Sequence, residues 1–119
     1  MKNIKRKVKS ARGKIDGKLP PQAIELEEAV LGALMLDNEA LSDTIDILKP
    51  EYFYKMEHQK IFDAIIVLFN ESKPVDILTI IEQLKKAGEL ENIGGAYYIT
   101  ELTNNVASSA NTEYHARII

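Results

Sequence analysis

The chain has 119 residues, which is enough for one domain with a modest core. It contains no cysteine, which excludes disulfides, thiolate metal ligands and a cysteine nucleophile. The net charge of −3 combines two unlike parts, because residues 1–18 hold eight Lys/Arg and one Asp whereas residues 19–119 hold seven Lys/Arg and seventeen Asp/Glu.

Residues 1–18 form a basic leader with few apolar side chains, too few to offset the entropy of ordering the segment. Two interpretations stay open: a flexible, solvated leader, or an arm that binds nucleic acid through its clustered Lys and Arg. The acidic body is a poor candidate for binding nucleic acid by electrostatics, because affinity for phosphate comes mainly from basic side chains.

The stretch from Pro20 to Asn38 predicts the central helix of a small bundle. Pro21 suits a first helical position, and the glutamates that follow suit the positive end of the helix dipole. Ala29 to Leu36 contains no polar side chain, so this part of the helix must be enclosed by its neighbours. Gly32 costs about 1 kcal/mol relative to alanine in a helix interior, which predicts a close packing contact there.

Three further helices are predicted by apolar residues at helical spacing, over Glu39–Leu48, Glu57–Asn70 and Ile77–Ala87. Asp76 is the expected N-cap of the last of these, and Gly88 its stop. The connector Tyr52-Phe53-Tyr54 could stack bases, but we interpret it as a plug for the edge of the core.

His58 falls inside the apolar arc of the helix predicted over 57–70. A metal or catalytic role would need partners on that face, and no second histidine stands four residues later. We therefore interpret His58 as a packing histidine with a hydrogen-bond partner.

Glu89 to Gly95 is predicted to be a turn, and Gly94-Gly95 is not a phosphate loop because the required G-x-x-x-x-G-K-[ST] pattern is missing. A helix over Ala96–Asn104 follows, and then a last helix from Ala110 onward, capped by Ser108 or Ser109. No helix stop signal precedes Ile119, so we expect the chain to be cut within this helix.

The predicted fold class is all-α. A bundle of about four packed helices spans 19–95, and a C-terminal helical hairpin spans 96–119, truncated at Ile119. The predicted core consists of Val30, Leu31, Leu34, Ile61, Phe62, Ile65, Ile81 and Leu84. No HExxH, nucleophile elbow or Walker A sequence is present, so we expect no catalytic, cofactor-binding or metal-binding residue in this chain. A small hydrolase has almost no support and would require a perturbed pair of carboxylates in an apolar pocket.

Four segments carry a resemblance to a known family: LPPQAIELEEAVLGALMLDNEAL at 19–41, LKPEYFY with HQKIFDAI within 48–65, PVDILTIIEQLKKAGELENIGG at 74–95 and YITELTNNVASSANTEYHARII at 98–119. In order and spacing they resemble the N-terminal domain of the bacterial replicative DNA helicase, the DnaB family. The leader lies outside this resemblance.

The resemblance implies a helical domain of which six copies form a collar, often a trimer of dimers, above a ring of ATPase domains. That ring would encircle single-stranded DNA and unwind the fork with ATP and magnesium, whose sites belong to a second domain that this chain lacks. The chain alone would then have no ATPase or helicase activity. Expected partners are a second copy of the chain, the primase and a helicase loader, in the cytoplasm at the replication fork, with no membrane.

Within the matched hairpin, the candidates for the subunit contact are Tyr98, Leu102, Tyr114 and Ile118, because this short chain need not cover their apolar face itself. The alternative is that Tyr98 and Leu102 pack inward on the first helix. For the primase, the candidates are Gly94, Gly95 and Tyr97. A different class of function is a free-standing helical adaptor that binds nucleic acid through the basic leader.

Overall fold

A computed structural model describes residues 21–104, 106 and 111–119, and the regular secondary structure of these residues is entirely helical. The α-helices are α1 (Pro21–Leu36), α2 (Asn38–Thr44), α3 (Met56–Asn70), α4 (Ile77–Lys86), α5 (Gly95–Asn104) and α6 (Thr112–Ile118). Two 3₁₀ turns lie at Pro50–Tyr52 and Glu91–Ile93. The all-α class is confirmed. The leader 1–18 and the serines predicted to cap the last helix, Ser108 and Ser109, lie outside the described residues.

Helix α1 is the centre of the packing, in contact with α2, α3, α5 and α6. Every residue from Val30 to Met35 is buried, as expected for a helix that is apolar on all sides. Leu36 is an exception and is exposed at the last position of the helix. Asp37 follows it and caps α2, with its carboxylate accepting from the N–H groups of Glu39 and Ala40 at 2.9 and 3.3 Å.

Gly32 lies where α1 approaches the C-terminal end of α5. A Cβ atom at this position would overlap the backbone carbonyl of Leu102 and lie 2.5 Å from Cγ2 of Val106. Only glycine lets the two backbones approach this closely. The close contact predicted at Gly32 is therefore confirmed.

Helix α4 begins at Ile77, as predicted, and ends at Lys86, immediately before the predicted last residue Ala87. The Asp76 carboxylate accepts from Thr79 N–H at 2.9 Å, and the Thr79 hydroxyl accepts from Asp76 N–H at 2.9 Å, which forms a capping box. Gly88 follows the helix with a φ of +72°, a left-handed conformation that favours glycine. Glu89 N–H then bonds the Leu84 carbonyl at 2.9 Å, so an otherwise free carbonyl of the last turn is satisfied.

Helices α5 and α6 follow the bundle, and both lie against α1. Ile99 and Leu102 of α5 and Ala116 of α6 are buried in the same core as α1 and α3. Of the four residues predicted for the subunit contact, Leu102 is covered by the chain itself, because α1 provides the surface on which it packs.

The predicted core residues lie in one cluster. Val30, Leu31, Leu34, Ile61, Phe62, Ile65 and Leu84 are buried, and Ile81 is partly buried at the edge. Of the aromatic connector only Phe53 plugs the core, with its ring 5.3 Å from that of Phe62. Tyr52 and Tyr54 are exposed, because their side chains leave the connector on the solvent side. Among the described helices, none has the length and apolar character needed to cross a membrane.

Candidate functional site

The polar centre of the domain is His58, which is completely buried between three helices. Its Nδ1 lies 2.7 Å from Oε1 of Glu27 on α1, and its Nε2 lies 2.6 Å from the hydroxyl oxygen of Tyr98 on α5. Both ring nitrogens are therefore satisfied, as a buried imidazole requires. The interpretation of His58 as a hydrogen-bonded packing histidine is confirmed.

The Glu27 carboxylate also holds the connector that leads into α3. It accepts from Tyr54 N–H at 2.6 Å and from Lys55 N–H at 3.4 Å. Helix α3 begins at Met56, and Lys55 provides no side-chain cap of its own. Glu27 thus ties the two residues that precede α3 to α1, near the positive end of the α3 dipole, which favours a carboxylate.

The chemistry of these groups assigns the hydrogens. A carboxylate only accepts, so His58 Nδ1 donates to Glu27, and the unprotonated Nε2 accepts from the Tyr98 hydroxyl. Burial lowers the pKa of His58, because loss of solvation penalises the imidazolium by more than the nearby Glu27 carboxylate stabilises it. The imidazole is therefore neutral at neutral pH.

Tyr98 is half-buried and stacks on His58, with the two rings 6.0 Å apart and inclined by 10°. Its hydroxyl also lies 3.4 Å from Oε2 of Glu28 and 3.5 Å from Nζ of Lys55. Burial, followed by the negative charge of Glu28, raises the pKa of Tyr98 far above its usual value of 10.0. The phenol therefore stays protonated and keeps a hydrogen to donate.

This site predicts a specific pH dependence of stability. The unfolded chain protonates His58 near the usual pKa of 6.5, whereas the folded chain does so only at lower pH. Acidification through this pH therefore favours unfolding, and the loss levels off below the folded pKa. We expect the free energy of unfolding, measured with urea between about pH 8 and pH 5, to fall less steeply in His58→Asn than in the parent chain. Equal slopes would contradict the assignment.

Glu27 is a structural residue that was not predicted from the sequence, although a local signal is present. Glu27 precedes Val30, Leu31 and Leu34 by three, four and seven residues, which places it on the enclosed face of α1. A glutamate on a buried face requires a partner. That partner is 31 residues away in the sequence.

The residues predicted for the subunit contact separate into two pairs. Tyr114 and Ile118 on α6 are exposed, by 67% and 57%. Leu102 is buried in the core, and Tyr98 is hydrogen-bonded to His58. The alternative of inward packing on α1 therefore describes these two residues. Because it is buried, Leu102 is not available to a second subunit.

The residues predicted for primase docking lie together at the start of α5. Gly94 and Gly95 adopt positive φ values of +108° and +77°, which turn the chain into the helix. Tyr97, two residues further on, is 75% exposed. The geometry thus presents one aromatic side chain beside a double-glycine turn.

A groove of about 320 Å³ opens beside the N-terminal part of α1. Its lining joins α1, the aromatic connector and the end of α6: Ala23, Leu26, Glu27, Tyr52, Tyr54, Ile118 and Ile119. Within the part of the chain that is described, no group of three His, Asp or Glu side chains is placed to hold a metal ion.

The fold and the buried network define an all-helical domain whose polar centre holds its helices together. Residues 19–119 match the family described as DnaB-like helicase N terminal domain. The chain belongs to this family.

Curated relatives give the same result. Over 103 residues the chain is 54% identical to the replicative DNA helicase DnaB of Rhodothermus marinus, an alignment that covers 87% of this chain and 11% of the relative. It is 44% identical over 105 residues to the replicative DNA helicase DnaC of Bacillus subtilis (strain 168), covering 88% of this chain and 23% of the relative. The chain therefore spans less than a quarter of the length of these relatives.

A solved structure supports the fold independently. The crystal structure of the N-terminal domain of DnaB helicase from Mycobacterium tuberculosis superimposes with a TM-score of 0.79 at 38% sequence identity. The superposition covers 84% of this chain and 72% of that chain.

Proposed function

We propose that this chain is the collar domain of a replicative DNA helicase, where it mediates association of subunits within a hexameric ring and docks the primase. The observation that carries the proposal is the match of residues 19–119 to the N-terminal domain family, together with relatives named as replicative helicases. The parent protein would unwind duplex DNA at the fork, with single-stranded DNA in the ring and a helicase loader as a further partner.

ATP and magnesium are assigned to a separate ATPase domain of the parent protein. The double-glycine turn of this chain is followed by a helix, but it lacks the lysine and hydroxyl of a phosphate loop. Its neighbouring charges are those of Glu89 and Glu91, which would repel phosphate. The proposed role of the chain itself is therefore contact between proteins, without chemistry of its own.

The exposed side of α6 is the surface that we assign to the second subunit. Tyr114 and Ile118 are large, apolar and exposed, and Ile118 lines the groove beside Tyr52 and Tyr54. Aromatic and aliphatic side chains of this kind are the usual anchors of protein interfaces. Tyr97, exposed beside the Gly94-Gly95 turn, is the corresponding candidate anchor for the primase.

The double substitution Tyr114→Ala and Ile118→Ala should weaken self-association about tenfold or more, because removal of two interface anchors costs over 1.4 kcal/mol. Sedimentation velocity at several concentrations would measure this. The unfolding midpoint should stay close to that of the parent chain, since both side chains are exposed in the single domain.

Leu78→Ala on α4 is the matched control, because the Leu78 side chain has the size of that of Ile118 and is 77% exposed, but lies on a different helix. It should leave self-association unchanged. Leu102→Ala should instead lower stability by about 2–5 kcal/mol, because it creates a cavity in the core. A parent chain that stays strictly monomeric at about 100 μM, where even a weak interface should associate, would contradict the self-association proposal.

A further inference from the structure

The Tyr98 hydroxyl faces two acceptors with a single hydrogen to give. His58 Nε2, on α3, lies 2.6 Å from the hydroxyl oxygen, and Glu28 Oε2, on α1, lies 3.4 Å from it. At neutral pH the shorter contact takes the hydrogen, because the described residues offer Nε2 of a neutral His58 no other donor. Within the same part of the chain, Glu28 is then left with only a long contact to the same hydroxyl.

We propose that the Tyr98 hydroxyl is a proton-controlled switch, which donates to His58 when that imidazole is neutral and to Glu28 when the imidazole is protonated. The Tyr98 hydroxyl thus links α5 to α3 alone at neutral pH, and to both α3 and α1 in acid. This inference does not depend on the proposed function.

The protonated state can satisfy every group without separation of the helices. His58 Nε2 takes up one proton from water, and the resulting Nε2–H donates to the Tyr98 oxygen. The Tyr98 hydrogen turns to Glu28, and Nδ1–H continues to donate to Glu27. Lys55 Nζ, 3.5 Å from the same oxygen, donates in both states. The imidazolium then has a hydrogen-bond acceptor at each ring nitrogen, which offsets part of the desolvation cost that lowers the pKa of His58.

The charged groups around the switch come from every element that packs on it. Glu27 and Glu28 belong to α1, Lys55 to the connector, and Glu57 to α3 on the side of Tyr98. Glu27 and Glu28 favour a protonated His58, and Lys55 opposes it. Glu28 is the group among them that also has an oxygen within reach of the Tyr98 hydroxyl.

Nitrogen-15 NMR of the whole chain tests the first half of the switch. At neutral pH, His58 should be the neutral tautomer with the hydrogen on Nδ1 and none on Nε2. On acidification both nitrogens should carry hydrogen while the amide spectrum remains that of the folded domain. An Nε2–H tautomer at neutral pH would overturn the proposal, and so would unfolding before His58 is protonated.

A double-mutant cycle tests the second half. Glu28→Gln should lower the pH midpoint of His58, both because a negative charge is lost and because the hydroxyl loses its charged acceptor. In a Tyr98→Phe background only the loss of charge remains, so the midpoint shift caused by Glu28→Gln should fall to about half or less. In a Tyr97→Phe background, one position away and exposed, the full shift should be retained.

The outcome of the cycle is decisive in either direction. Equal shifts with Tyr98 present and with Tyr98→Phe would mean that Glu28 acts only through space, and the switch would be refuted. If Tyr98→Phe fails to fold, the Glu28→Gln variant alone tests the proposal, through the NMR resonance of the Tyr98 hydroxyl hydrogen in acid. That resonance should change in Glu28→Gln if the hydroxyl donates to Glu28, and its invariance would overturn the proposal.

Discussion

Replacing Glu27 by alanine should lower the free energy of unfolding by about 3–5 kcal/mol, because each buried donor left without its acceptor costs about 1–3 kcal/mol. Three donors lose their acceptor at once: His58 Nδ1–H, Tyr54 N–H and Lys55 N–H. The imidazole is completely buried, so its Nδ1–H depends on the Glu27 carboxylate for its hydrogen bond. Urea unfolding followed by circular dichroism would measure the change.

Glu25→Ala is the matched control, because Glu25 is an exposed glutamate on the same helix, two residues earlier. Its removal should change stability by less than about 0.5 kcal/mol. Glu27→Gln should fall between the two, because the amide oxygen still accepts but carries no charge. If Glu27→Ala and Glu25→Ala destabilise equally, the carboxylate does not hold the connector and α3 as the geometry indicates.

The features that sequence predicted well are those decided within a few residues. Asp76 and Thr79 cap α4 across three positions, and Gly88 ends the same helix. The enclosure of α1 follows from an unbroken apolar stretch, which can only be stable among neighbours. Local chemistry decides such features, so one sequence is enough to predict them.

The network around His58 shows why the remainder was not predictable. Its contacts join residues 31 and 40 positions apart, and no local pattern tells which carboxylate or phenol will face a given imidazole. Burial on α1 could be inferred for Glu27, but its partner depends on how α1, α3 and α5 are arranged. Tertiary packing chooses among several chemically equivalent acceptors.

The residues predicted for the subunit contact differ in burial because tertiary packing decides which apolar face is covered. All four candidates belong to apolar stripes: Tyr98, Leu102, Tyr114 and Ile118. An apolar stripe indicates that a helix face is covered, but not whether a helix of the same chain or a second subunit covers it. Leu102 is covered by α1 of its own chain, whereas Tyr114 and Ile118 are exposed. Gly32 lets α5 approach α1 closely enough to bury Leu102, whereas α6 buries Ala116 and leaves Tyr114 and Ile118 exposed.

Gly32→Ala should therefore destabilise the domain by about 2–3 kcal/mol, within the usual cost of overpacking. The added Cβ would overlap the Leu102 carbonyl, a backbone atom that moves only if α5 moves away from α1. The same substitution in a free helix interior would stabilise by about 1 kcal/mol, so the contact reverses the sign of the effect. Thermal and urea unfolding would measure it.

Val106→Ala in the Gly32→Ala background separates the two contacts at this position. It removes Cγ2, the side-chain atom that the new Cβ meets, and leaves the Leu102 carbonyl in place. We expect recovery of less than about half of the lost stability, because the backbone overlap persists. A Gly32→Ala chain more stable than its parent would show instead that α5 does not pack on α1 through this glycine.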